Sequence, residues 1–190
     1  MMEHIKNSIN ESASLIKNSV NLSNEIETTI EIILKSIKNG KKIILFGNGG
    51  SATDAQHMAA EFVGRFKINR KSIPAIALCS DTAILTSIAN DFSYDMIFER
   101  QCESLIEKDD IVIGISTSGN SENVRKGILA SKKKGAFTIG FLGNNGGIIS
   151  KIVDLSLIVD SSNTPKIQEV HRVIYHIICD CIEKEMGEKR

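Results

Sequence analysis

What the chain lacks narrows its function first. Charge of one sign is not in excess: Lys plus Arg (23) balances Asp plus Glu (23), with no long block of either. No global field therefore draws the protein toward nucleic acid or an anionic membrane, and any anion must be bound locally. No apolar run reaches the roughly 18 residues of a membrane span, and Met1 to Lys6 is polar, unlike the apolar core of a signal peptide. These absences predict a soluble cytoplasmic protein with no nucleic-acid or membrane partner. The four cysteines, Cys79, Cys102, Cys179 and Cys181, have no CxxC spacing. That suits a reducing compartment and predicts small buried hydrophobes instead of disulfides. Only two prolines occur, and no Pro/Gly linker, repeat or low-complexity tract divides the 190 residues. One domain spanning 1–190 is predicted, large enough to bury roughly 70% of its unfolded surface.

Apolar positions recur at helical spacing over the first 40 residues, as in Ile26, Ile30, Ile33 and Leu34, which predicts one or two amphipathic helices. Ser23, Asn24 and Glu27 suggest a fresh helix start, and Gly40 a stop. A long helix placed before the first strand hints at packing on a partner subunit. Beyond Lys41 short apolar runs take over, at Ile43–Phe46, Ala75–Leu78, Ile111–Ile115, Phe137–Leu142 and Leu155–Val159. They read as five buried parallel strands. Helices are expected near Ser51–Phe66, Thr82–Ala89, Tyr94–Ile106, Ser121–Lys134 and Gly147–Lys151, with a long last one over Pro165–Glu185. Strand alternating with helix implies an α/β fold, a three-layer doubly wound sandwich on a five-stranded parallel sheet with an N-terminal helical extension. In such folds ligands bind outside the carboxyl ends of the strands.

Two polar loops fall at that edge. Gly47-Asn48-Gly49-Gly50-Ser51-Ala52 fits a dinucleotide pattern after a strand and before a helix, but the acid expected at the end of the second strand is missing, with Asp81 lying beyond Leu78. A tight strand-to-helix turn explains these glycines without a ligand. Ser116-Thr117-Ser118-Gly119-Asn120-Ser121 places four hydroxyls before a helix, where unpaired N–H groups and the helix dipole favour an anion. One of them would suffice as a helix cap; the excess points to a phosphate monoester.

On the helix after the first loop, Ala52, Ala55, Ala59, Phe62, Val63 and Phe66 share an apolar face, while His57, Glu61 and Arg65 fall at i, i+4 and i+8. Taken alone, that polar stripe fits a solvated face; a transition metal such as zinc needs further ligands from elsewhere. The last helix offers them. Its apolar stripe Val170, Val173, Ile174, Ile177 and Cys181 is expected to pack inward, with Gln168, Arg172 and His176 opposite and His171 nearer the stripe. By spacing alone either histidine qualifies, and Cys179 is a further candidate.

The run Phe46 to Phe62, Ala89-Asn90-Asp91, Ser116 to Ser121, and Ile167-Gln168-Glu169-Val170-His171 together resemble the phosphoheptose isomerases of the sugar isomerase (SIS) superfamily. The likeness covers nearly the whole chain and joins motifs from separate segments in order. It implies the SIS fold, a homotetramer with sites between subunits, and conversion of sedoheptulose 7-phosphate to D-glycero-D-manno-heptose 7-phosphate, the first step toward activated heptose for surface polysaccharide such as lipopolysaccharide or capsule. It further implies zinc held by His57, Glu61, Gln168 and His176, with Glu61 and His176 as the acid/base pair. Ser116, Thr117, Ser118 and Ser121 would hold the phosphate; Asn48, Gly49, Gly50, Ser51, Glu61, Arg65, Asn90, Asp91 and Gln168 would contact substrate. The same fold also serves noncatalytic relatives, among them a replication-initiator-associating protein and phosphosugar-sensing regulators. Retention of both Glu61 and His176 favours the enzyme. Isomerases of pentose or aminohexose phosphates are the nearer competitors on substrate.

Overall fold

Five parallel strands, β1 (Ile43–Gly47), β2 (Ala75–Ala77), β3 (Ile111–Ser116), β4 (Phe137–Gly143) and β5 (Leu155–Val159), form one sheet in the order β2-β1-β3-β4-β5 in the computed structural model of the chain. The structure describes residues 1–187, so the last three positions of the predicted 1–190 domain lie outside the described residues. The five predicted strands are the five observed. β1, β3 and β4 run one residue beyond their apolar runs, because the ladders pair Gly47 with Ile115, Ser116 with Leu142 and Gly143 with Val159. β2 stops one residue early.

The helices are α1 (Met2–Asn18), α2 (Ser23–Lys38), α3 (Gly50–Val63), α4 (Thr82–Asp91), α5 (Ile97–Leu105), α6 (Glu122–Lys133) and α7 (Thr164–Met186). Side chains alternate across the sheet, as a strand requires. Ile43 and Leu45 join one buried cluster with residues of α2, α3 and α7; Ile44 and Phe46 join a second with residues of α5 and α6. The result is the expected three-layer sandwich. Since β2 and β3 flank β1 on opposite sides, the chain reverses its direction of travel there, and the carboxyl ends of β1 and β3 open a crevice between them. Both polar loops leave the sheet at that crevice.

Several local expectations change. A fresh helix does start at Ser23, but Ser23 does not cap it: a 3-10 turn, Ser19–Leu22, runs on from α1, and the Ser23 hydroxyl donates back to the Val20 carbonyl. Gly40 does end α2, at φ +72°. The segment Tyr94–Ile106 divides into a 3-10 turn, Tyr94–Met96, and α5, and only Ile149–Lys151 of the Gly147–Lys151 helix forms, as one 3-10 turn. α3 stops at Val63, three residues short of Phe66, because its last carbonyls are taken by side chains from beyond it. Arg70 donates to the Glu61 and Phe62 oxygens and Ser72 to that of Val63. Val63 is exposed in consequence. α7 is also rotated from expectation. Ile167, Val170, His171, Ile174, Ile178 and Ile182 are buried, whereas Ile177 is exposed and Val173 and Cys181 are half-buried. The helix carries two adjacent apolar stripes, and periodicity does not tell which one meets the sheet. Of the cysteines, Cys102 and Cys179 are buried, Cys79 and Cys181 partly so, and all four are free.

Candidate active site

α3 and α7 pack side by side with matched rungs. Near the crevice, the Gln168 carboxamide lies against Gly50, where a Cβ would meet its nitrogen within 2.4 Å. One turn on, Arg172 Nη2 donates to Asp54 Oδ1 at 2.8 Å. Further along, His57, Glu61 and His176 bring one ligand atom each to within 4.8 Å of one another. His57 Nε2 lies 3.0 Å from Glu61 Oε1, as their i, i+4 spacing requires, and the His57 and His176 rings meet edge-on at 5.2 Å. Burial first, and then the neighbouring His57, hold the His176 imidazole below its ordinary pKa, which favours its neutral form near pH 7.

Of the two histidines of α7, His176 is the one that joins this group. His171 is fully buried; its Nε2 donates to the Leu142 carbonyl at 3.1 Å, Phe141 packs beside it, and burial pulls its pKa down to about 4. Cys179 is buried, its thiol pushed up to about 12 by desolvation, and it stands apart from the His57, Glu61 and His176 group. Two imidazoles and a carboxylate converging from two helices form a borderline N/O donor set that fits zinc, three protein donors with room for one more. Gln168, the remaining expected ligand, precedes His176 by two turns of α7, with its carboxamide against Gly50.

Behind the cluster stand residues that spacing did not mark. Asp54, 1% exposed, lies one turn before His57 on α3. Tyr175, fully buried beside His176, places its hydroxyl 2.9 Å from His57 Nδ1 and 3.5 Å from Asp54 Oδ1. Burial, followed by the Asp54 charge, pushes the Tyr175 phenol up to about 12. An available signal was the acid at i−3 from His57, on a turn otherwise facing the core.

At the crevice the glycines serve the turn. Gly49 has φ +56°, and a Cβ on Gly47 would lie 2.8 Å from Ser51 Cβ and 2.9 Å from the Ile115 carbonyl oxygen. Asp81, the acid nearest the end of β2, accepts from the Ile84 amide as the cap of α4. Both observations weigh against a dinucleotide site. In the second loop, Ser116 Oγ lies 2.9 Å from Ser121 Oγ and 3.4 Å from Ser118 Oγ. None of these hydroxyls caps α6, although Ser121 occupies its N-cap position. They converge in front of a helix N-terminus, which is what an anion requires. The loop is braced from behind. Gly119, at φ +67°, packs on the backbone of Gly146 and Gly147, and Asn144 donates to the Thr117 carbonyl at 3.0 Å. Asn48 and Asn123 exchange two side-chain hydrogen bonds of 2.8 and 3.0 Å across the crevice, and Tyr94 donates to the Asn48 oxygen. Asn123 and Tyr94 are two more residues that the sequence reading missed.

Three expected substrate contacts stand apart. Arg65 is exposed beyond the end of α3, and Asn90 donates to Asp91 on the exposed end of α4.

A family model described as "SIS domain" matches residues 7–143. The phosphoheptose isomerase of Geobacter sulfurreducens is 52% identical over 165 residues, covering 87% of each chain, and that of Clostridium acetobutylicum is 50% identical over 186 residues, covering 97% of this chain and 94% of its own. Among solved structures, the phosphoheptose isomerase of Neisseria gonorrhoeae superposes with a TM-score of 0.92 at 36% identity, covering 96% of this chain and 98% of its own. That of Francisella tularensis gives 0.93 at 30% identity, with the same coverage.

Proposed function

This chain belongs to the SIS domain family, and we propose on that premise that it is a phosphoheptose isomerase, converting D-sedoheptulose 7-phosphate to D-glycero-D-manno-heptose 7-phosphate through an enediol or enediolate. The observation that carries the reading is the convergence of His57, Glu61 and His176 on one seam of a fold whose crevice also holds serine hydroxyls bonded to one another and not to the helix they precede. The protein acts as a cytoplasmic homotetramer, the site lies between subunits, and the product feeds activated heptose for surface polysaccharide. Among the described residues, no helix is long and apolar enough to cross a membrane.

The residues divide the work. Ser116, Thr117, Ser118 and Ser121 bind the phosphate, which supplies orientation far from the reacting carbons. Asn48, Gly49, Gly50 and Ser51 line the path from there. His57 lies seven residues, or about 10 Å of helix rise, past Gly50, so one end of α3 serves the phosphate side and the other the carbonyl end of an extended sugar. Glu61 moves the proton between C1 and C2; its carboxylate faces His57 across 3.0 Å. His176, neutral near pH 7, moves protons at the sugar oxygens, since a base must be unprotonated to accept one. Zinc, when held by His57, Glu61 and His176 with Gln168 as fourth donor, supplies Lewis-acid polarisation of the carbonyl and charge neutralisation at oxygen. Arg65, Asn90 and Asp91 complete the substrate contacts across the subunit boundary.

Sedoheptulose 7-phosphate incubated with the zinc-supplemented protein in deuterated water, followed by NMR, tests this. Aldose formation with deuterium reaching C2 is expected. Neither conversion nor exchange from folded, zinc-supplemented protein would overturn it in favour of another sugar phosphate or a binding role.

A further inference from the structure

Both ring nitrogens of His57 are engaged, from opposite sides and by different chemistry. Nε2 lies 3.0 Å from Glu61 Oε1, and Nδ1 lies 2.9 Å from the Tyr175 hydroxyl. A neutral imidazole has one N–H and one lone pair. With the Glu61 carboxylate as acceptor, a neutral ring carries its proton on Nε2, and its Nδ1 lone pair then accepts the Tyr175 O–H. That tautomer offers no lone pair toward Glu61 and His176. For Nε2 to bind a cation, the ring proton must sit on Nδ1, and the partner behind the ring must change from donor to acceptor. A hydroxyl can do both; a carbonyl, an ammonium or a carboxylate cannot.

Once Tyr175 accepts from Nδ1, its own O–H needs another acceptor. Asp54 Oδ1, 3.5 Å away, is in place, held on its other side by Arg172 at 2.8 Å. The ring carries one proton in both forms, so the exchange redirects three hydrogen bonds without net proton uptake. Tyr175 is suited to the task by packing as well. It is fully buried and lies edge-on to both histidines, with centroids at 5.5 Å from His57 and 4.7 Å from His176.

We propose that Tyr175 is a positioning residue: its hydroxyl, backed by Asp54, lets His57 pass from the Glu61-bonded tautomer to one whose Nε2 lone pair faces the Glu61–His176 cleft, and so sets the affinity of the cleft for a divalent metal. The inference rests on the reading of His57, Glu61 and His176 as a metal site.

Tyr175→Phe removes one oxygen and leaves the ring packing. Two measurements decide the matter, both made on the intact protein. In the zinc-free state, 15N NMR of the histidine rings reports the His57 tautomer and whether Nδ1 accepts a hydrogen bond; both proteins are expected to hold the Nε2–H form, because Glu61 still takes that proton, and Tyr175→Phe to shift the Nδ1 resonance to that of an unbonded lone pair. Zinc affinity, measured by competition with a chromophoric chelator, is expected to fall 10- to 100-fold in Tyr175→Phe, the usual cost of losing a group that orients a metal-bound histidine. Asp54→Asn keeps an acceptor without the charge and is expected to lose less. Wild-type zinc affinity in Tyr175→Phe, or a His57 Nδ1 resonance unmoved by the substitution, overturns the proposal. If the wild type binds no zinc, the metal reading fails with the affinity half of the inference, while the zinc-free NMR comparison still decides whether the Tyr175 hydroxyl holds Nδ1.

Discussion

Arg70 donates to the carbonyl oxygen of Glu61 at 2.6 Å, tying the last turn of the helix that carries the proposed base to a loop nine residues further on. The tie is itself anchored. Arg70 and Glu183 are each 2% exposed at the side chain, with Nε 3.3 Å from Oε1 but off the hydrogen-bonding direction. Glu183 also accepts from the amides of Phe66, Lys67 and Ile68. Burial alone would raise the Glu183 pKa; the amides, Lys67 and Ile68 foremost, outweigh it and hold the carboxyl below its ordinary range. One carboxylate thus neutralises the cation that ends α3.

Glu183→Gln leaves Arg70 without its counter-charge in a buried site, and removing one member of a buried pair costs roughly 3 to 5 kcal/mol. A loss of about that size in urea unfolding is expected, along with faster proteolysis in the 64–70 loop. Wild-type stability would show that the three amides need an acceptor but not a charge.

Substitution in the serine loop should act on binding. Ser121 sits at the N-cap without capping, and its hydroxyl is spent on Ser116. Ser121→Ala and Ser116→Ala are therefore expected to leave the melting temperature nearly unchanged. Each should raise KM roughly 10- to 100-fold, given about 1.5 to 3 kcal/mol for a hydrogen bond to a charged group. An unchanged KM in both variants would remove the phosphate from this loop.

The parts of this molecule legible in its sequence are those written in local chemistry. Runs such as Ile111–Ile115 have no alternative to a buried strand, and the excess of hydroxyls between Ser116 and Ser121 has no purely structural need. The pairing of His57 with Glu61 follows from spacing on one helix. What was not legible depends on how two helices lie against each other. Both stripes of α7 are apolar, so the burial of Ile178 and exposure of Ile177 wait on packing, and with them the choice of His176 over His171. The resemblance to a known family supplied that choice where periodicity could not. Tyr175 and Asp54 meet only because α3 and α7 share a register, and no pattern within either helix announces it. The end of α3 at Val63 was missed for a similar reason: Arg70 and Ser72, which take its last carbonyls, lie outside any capping window.

The proton-transfer roles make a sharper demand than the fold. Glu61→Gln and His176→Gln preserve size and polarity while removing the basic group. Each is expected to lower kcat by roughly 100- to 10,000-fold, the range for loss of a general acid or base, with circular dichroism unchanged. Near wild-type turnover in both would leave the reaction without its proposed proton carriers.

His171 gives acid sensitivity a definite origin and sign. It is fully buried, its Nε2–H donates to Leu142, and its Nδ1 has no partner among the described residues, so a second proton finds no acceptor there. Burial lowers its pKa from 6.5 to about 4, against a small opposing pull from the Leu142 carbonyl and Asp54. Between those two values the unfolded chain binds the proton and the folded chain does not. Stability from this residue is therefore complete above about pH 6.5, falls as the pH is lowered through the window, and is gone below about pH 4. At about 1.36 kcal/mol per unit the loss is roughly 3 kcal/mol. Urea midpoints measured from pH 7 to pH 4.5 on zinc-free wild type and His171→Gln, whose amide can still donate to Leu142, isolate it. The wild type should lose stability faster with acid than the variant; parallel curves would place the acid sensitivity in other groups.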